Sequence, residues 1–157
     1  MSAPKKIDRS DAIGVFWPEE GPHTAESVIG AGAGIRELWR YLGHATLVPT
    51  TEALADPADV YLAIGNLRTA ANSAEQVLRQ LERWAAWLLT VPGLSHDDSS
   101  RYAKHGVDIA ADCVIDAQTA LRAAANHMVT VGTDLEKVSA ALSHIYLDID
   151  SSDEGGA

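Results

Sequence analysis

Apolar residues recur along this chain at alternating steps of three and four, the spacing that gathers them on one stripe of an α-helix. Between Val60 and Leu88 the seam reads Val60, Ile64, Leu67, Ala71, Ala74, Leu78, Leu81, Ala85 and Leu88 without a polar interruption. A second row, Ala63, Ala70, Val77, Trp84 and Val91, runs beside it. An apolar face that wide predicts at least two neighbours for this helix. A third segment keeps the same rhythm through Ala110, Val114, Ala117, Leu121, Ala124, Met128, Val131, Leu135, Val138, Leu142 and Ile145. Seams of this kind face a partner helix, so the two segments are expected to form a long antiparallel hairpin. Its turn falls in the polar run at residues 95–100, after Pro92 and Gly93 have stopped the preceding helix. Gly132, set among Val129, Thr130, Val131 and Thr133, costs roughly 1 kcal/mol against alanine and marks an expected bend.

A shorter helix precedes the hairpin. Thr24 serves as its N-cap, Val28, Ala31, Ile35, Leu38 and Leu42 supply its apolar positions, and it is expected to end near Gly43. The connection at residues 44–57 holds Pro49, Thr50, Thr51 and Pro57, with one short helical turn expected at residues 52–55. Asp56 then caps the long helix, with Pro57 at the favoured first position. Residues 1–23 carry Pro4, Pro18, Gly21 and Pro22 and read as an irregular arm, in which Val15, Phe16 and Trp17 are candidates to dock on the core. Residues 24–147 form the helical bundle domain of this reading and residues 148–157 an acidic, flexible tail.

The fold class that follows is all-α: a long antiparallel helical hairpin plus a shorter N-terminal helix, bundle-like. At about 1.5 Å per residue the first helix covers about 30 Å, whereas the two hairpin helices run to roughly 50 and 60 Å. The first helix is too short to shield the hairpin. The arm, the connection or a second chain must close what remains, and dimerisation into a four-helix arrangement is the preferred closure.

Charge narrows the partners. The 157 residues carry a net charge of −10, which opposes contact with phosphate backbones and anionic lipid, so no direct nucleic-acid or membrane partner is expected. Lys5, Lys6 and Arg9 make one small basic cluster, read as a solvated end. The single cysteine, Cys113, excludes an intramolecular disulfide and fits a reducing compartment; the expected location is the cytoplasm. Neither a signal-peptide core nor a run of about 18 apolar residues is present in the sequence.

Each motif that suggests chemistry has a plainer reading. Residues 28–35, Val-Ile-Gly-Ala-Gly-Ala-Gly-Ile, look like a dinucleotide-binding turn, but Ile35 stands where a small residue is required and no βαβ pattern follows. They are read instead as a small-residue patch against which another helix packs closely. Asp97 and Asp98 resemble a magnesium-diphosphate pair whose third carboxylate position is taken by Arg101, and are read as a loop tip. Asp108, Asp112 and Asp116 stand four apart on one helical face with His105 a turn before them, the best metal candidates in the chain. Bundle metal sites draw ligands from several helices, so the stripe is read as solvated, near a helix N-terminus that favours it. His96, His127 and Cys113 lack zinc-site spacing, and no nucleophile elbow is present. No catalytic residue and no cofactor are assigned.

The stretch Pro57-Ala58-Asp59-Val60-Tyr61 leading into Leu67 and then residues 81–88, followed by a second alanine-rich helix, resembles uncharacterised helical proteins of actinobacteria, some associated with mobile elements. The resemblance spans residues 45–147 and implies a helical fold without implying an activity. The run from Tyr146 to Asp150, Tyr-Leu-Asp-Ile-Asp, is similar to the Tyr-x-x-x-Asp/Glu signal of helical-hairpin substrates of type VII secretion, although the Trp-x-Gly turn of that family is missing. The expected function is that of a non-enzymatic adaptor or regulatory protein that contacts a protein partner or itself through Trp39, Val77, Trp84 and Trp87. The alternatives are a type VII secretion substrate using Tyr146 to Asp150 and an acidic mimic of nucleic acid.

Overall fold

In the computed structural model the described residues are 9–47, 54, 56–96 and 106–145, with the side chains of residues 10 and 106–108 left aside. The fold is all-α: α1 (Arg9–Phe16), α2 (Ala25–Ala45), α3 (Pro57–Leu88) and α4 (Gly106–Leu142), with no strand among the described residues. The chain divides into two compact units, Met1–Ala55 and Asp56–Ala157.

The ends of the helices follow local chemistry. Thr24 and Ser27 close a reciprocal capping box at the start of α2: the Ser27 amide donates to Thr24 Oγ1 at 3.1 Å, and the Thr24 amide donates to Ser27 Oγ at 2.9 Å. Asp56 caps α3 by accepting the Ala58 amide at 2.9 Å, with Pro57 at the first helical position. The arm expected to be irregular contains α1. Its sequence, Arg-Ser-Asp-Ala-Ile-Gly-Val-Phe, has no apolar stripe to betray a helix, but Asp11 favours the N-terminal end and no proline interrupts before Pro18.

In the first unit Trp17 is the organising side chain. Its indole Nε1 donates to the Ser27 carbonyl at 3.2 Å, and a Cβ built on Gly34 would stand 3.3 Å from its ring, one on Gly30 3.9 Å. Gly30 and Gly34 therefore seat an aromatic ring, while the Cβ position of Gly32 faces open space; the expectation of a helix packing there is corrected. A flat indole needs the missing Cβ atoms as much as a close helix would, which is why both leave the same sequence signature. Val15 and Phe16, the other candidates for docking, remain exposed.

The hairpin forms the second unit, and its direction can be read from side-chain partners. Arg68 pairs with Glu136, the Cβ position of Gly132 faces Asn72, Arg79 donates to Asn126 and Arg122 to Glu82. As the number on α3 rises, its partner on α4 falls in step, so the helices are antiparallel. Of the α3 seam, Leu81 alone is exposed; the other eight positions are buried or half-buried, Ala71 and Ala85 most deeply.

On α4 the seam is turned by about one residue from the expected one. Ala110, Val114, Leu121, Ala124, Met128, Leu135 and Leu142 are covered as expected, but the companion row is Gln118, Ala125, Gly132 and Ser139; Ala117, Val131, Val138 and Ile145 are exposed. Backbone approach explains the turn. Ala125, fully buried, and Gly132 let α4 come close to α3, where valines 131 and 138 would hold it off. Gly132 lies inside one uninterrupted helix, 3.0 Å from Asn72 Oδ1 at its Cβ position, so the expected bend is replaced by a close-approach point.

Gly132→Leu is expected to destabilise the hairpin by about 2 kcal/mol through overpacking. Gly132→Ala combined with Asn72→Ala removes the obstruction, gains helix propensity and should leave the chain at least as stable as the wild type. Urea unfolding followed by circular dichroism checks both. In a chain whose other tryptophans are phenylalanine, Gly34→Val should expel the Trp17 ring and shift its fluorescence to the red.

Candidate functional site

A two-helix hairpin covers one strip of each helix and leaves two flanks, and the two flanks of this hairpin differ in kind. On α3 every charged residue between Val60 and Val91, namely Arg68, Glu75, Arg79, Glu82 and Arg83, falls on one half of the helical circumference at 100° per residue. The other half carries three rows: Ala63, Ala70, Val77, Trp84 and Val91; Asn66, Ser73, Gln80 and Trp87; and Leu67, Ala74, Leu81 and Leu88. None of these thirteen residues is charged.

The charged flank is internally satisfied. Arg122 Nε donates to Glu82 Oε1 at 2.7 Å across the hairpin, Arg79 bonds Glu75 within α3 and reaches Asn126 Oδ1 at 3.3 Å, and Arg68 approaches Glu136 at 3.8 Å. Glu82 has only 15% of its side chain exposed, so Arg122 neutralises a carboxylate that water reaches poorly.

Within the hairpin itself the uncharged flank has no partner among the described residues. Val77, Leu81, Trp84 and Trp87 are 52%, 43%, 55% and 56% exposed, at successive steps of four, three and three that align them on one side of α3 over about 15 Å. Since α4 turns Arg122, Asn126 and Glu136 toward the charged flank, its opposite side belongs to the uncharged one. Between residues 117 and 131 that side holds Ala117, Ala120, Ala123, Ala124, His127, Thr130 and Val131 without an Asp, Glu, Lys or Arg, and Asp116 and Asp134 bound the stretch at its two ends.

Trp39 belongs to the first unit. It is 56% exposed on α2, beside exposed Ile35 and Leu38, and no residue of α2 is fully buried. The four expected contact residues are thus all at the surface, Trp39 in one unit and Val77, Trp84 and Trp87 together in the other. Leu81, which belongs with those three, was assigned to the buried seam in the sequence reading. Its steps of four from Val77 and three to Trp84, which put it on their side of the helix, are the available signal.

Candidate chemistry is sparse. Among the described residues no group of three His, Cys, Asp or Glu side chains could hold a metal ion. Asp112 and Asp116 are exposed on α4, whereas His105 and the Asp108 side chain lie outside the described residues. So do residues 97–101 and the motif from Tyr146 to Asp150. Cys113 and His127, each next in sequence to a residue of the expected seam, are exposed on α4. A helix turns one residue in three or four inward, and the one-residue rotation of α4 carries both positions outward. No helix among the described residues is long and apolar enough to cross a membrane.

No match to the chain is found among family models, curated proteins or solved structures.

Arg122→Ala should cost about 1 kcal/mol by stranding the half-buried Glu82, while Lys137→Ala, whose pair with Asp134 is exposed on both sides, should change stability by less than about 0.5 kcal/mol. Thermal unfolding of the two variants at one ionic strength provides the comparison.

Proposed function

We propose that this chain is a non-enzymatic protein–protein interaction protein of the cytoplasm, an adaptor or regulator whose contact surface is the uncharged flank of the α3–α4 hairpin. The observation that carries this reading is the alignment of Val77, Leu81, Trp84 and Trp87, each exposed, on the half of α3 that has no charge between Val60 and Leu88. Tryptophan is the residue type most enriched at the energetic centres of interfaces, and two of them three residues apart give a contact area that water penalises. Monomeric proteins rarely leave a continuous apolar stripe of this kind uncovered.

The net charge of −10 supports a protein partner over nucleic acid or an anionic membrane. Trp39 with Ile35 and Leu38 offers a second, separate apolar site on α2. The lone Cys113 supports a reducing location.

A photoreactive amino acid in place of Trp84 or Trp87 should yield a cross-linked protein adduct in cells, and the same group in place of exposed Arg83, on the charged half of α3, should not. Absence of an adduct from both tryptophan positions, with the chain expressed and helical, would remove the basis for the adaptor reading.

A further inference from the structure

Building on the reading of the uncharged flank as a contact surface, we infer that its occupant is a second copy of this chain, seated so that each α3 lies over the α4 of the other in an antiparallel four-helix bundle. Charge is the first argument. Two copies bring −10 each, so they can meet closely only through faces that contribute nothing to that repulsion. The hairpin has such a face, and it is continuous across both helices. The pairings of Arg68 with Glu136 and Glu82 with Arg122 set the levels, and by them the charge-free side of α4 between residues 117 and 131 stands beside residues 73–87 of α3.

Shape is the second argument, and it selects the partner. At these shared levels α3 carries bulk and α4 carries almost none: Trp87 stands level with Ala117, Trp84 with Ala120 and Leu81 with Ala123 and Ala124. One flank therefore holds both a ridge and the trough that fits it. A two-fold axis running along the helices keeps every level unchanged and lays the ridge of each copy in the trough of the other, so every contact is made twice. An axis that set α3 on α3 would oppose ridge to ridge and leave the alanine troughs empty, against the close packing that interfaces share with protein interiors.

The size is adequate. Residues 73–87 span about 21 Å, and two helices side by side are about 20 Å wide, a projected patch of about 400 Å². Allowing for corrugation, that is of the order of the ~800 Å² of accessible surface that each partner of a specific complex buries.

Light scattering on the full chain at tens of micromolar should give about twice 16.7 kDa. Trp84→Glu, which removes a knob, and Ala120→Trp, which adds apolar surface but fills the trough, should each weaken association by ~30-fold or more, the effect of losing an interface hot spot. Both should keep the helical circular dichroism of the wild type, since both positions are exposed. In a Cys113→Ser background, oxidising a mixture of Val77→Cys and His127→Cys chains should link one to the other, and neither chain alone should link to itself.

A wild-type chain that stays at 16.7 kDa at every concentration, a dimer indifferent to Ala120→Trp, or self-linking of Val77→Cys overturns the proposal. If the chain is monomeric but the photoreactive group at position 84 still captures a different protein, self-association fails and the adaptor reading stands. If it captures nothing, both fail.

Discussion

Two helices laid side by side can hide from water only the strip along which they touch. Everything else in the hairpin follows from that geometry. A helix 32 residues long presents a full circumference, and a single partner covers about a third of it, so any apolar residue beyond that arc stays wet. In α3 the covered arc holds Ala71 and Ala85, and the arc beyond it holds Val77, Trp84 and Trp87. With Ile64, Leu67 and Leu78 half-buried, the deepest positions are alanines and the two tryptophans lie outside, an inversion of the usual order of burial. The inversion is what separates a structural seam from a surface that has its own use.

Small residues at the seam have a cost and a consequence. Alanine and glycine give less hydrophobic stabilisation per contact than leucine, so Ala71, Ala85, Ala125 and Gly132 hold the pair together by close backbone approach more than by buried area. Cross-helix ion pairs stand along one flank and supplement that limited core, with Glu82 and Arg122 the least exposed of them on the carboxylate side. Bonds of this kind also orient the hairpin, since they fix which flank is polar. The flank without them is then free to be apolar without confusing the pairing of α3 with α4.

The all-α class, the hairpin, the capping of α2 by Thr24 and of α3 by Asp56 are legible in the sequence, because periodicity and cap chemistry are local. The inward row of α4 is not. Rows 117–124–131–138 and 118–125–132–139 lie about 100° apart on the helix, and judged by apolarity the first is the better seam, with its two valines. Packing preferred the second for its small volume, a property of the partner helix and of Asn72 that no window of α4 contains. The same limit hid Leu81, whose place in the seam or on the flank depends on a rotation of α3 that its own spacing leaves open. Helix α1 was illegible for a different reason: eight residues with no apolar stripe offer nothing for a periodicity to detect.

The first unit shows how a single aromatic can stand in for a helix–helix contact. Trp17 lies along the glycines of α2 and bonds the Ser27 carbonyl, which fixes the entry of the chain into the capping box at Thr24. That seat uses only the first half of α2. From Ile35 onward the helix keeps its apolar spacing through Leu38, Trp39 and Leu42, yet no residue of α2 reaches full burial. The charge-free flank of the hairpin and the uncovered half of α2 therefore arise from one cause. In both units the covering element is shorter or narrower than the apolar face it covers, and the excess in each case is marked by tryptophan.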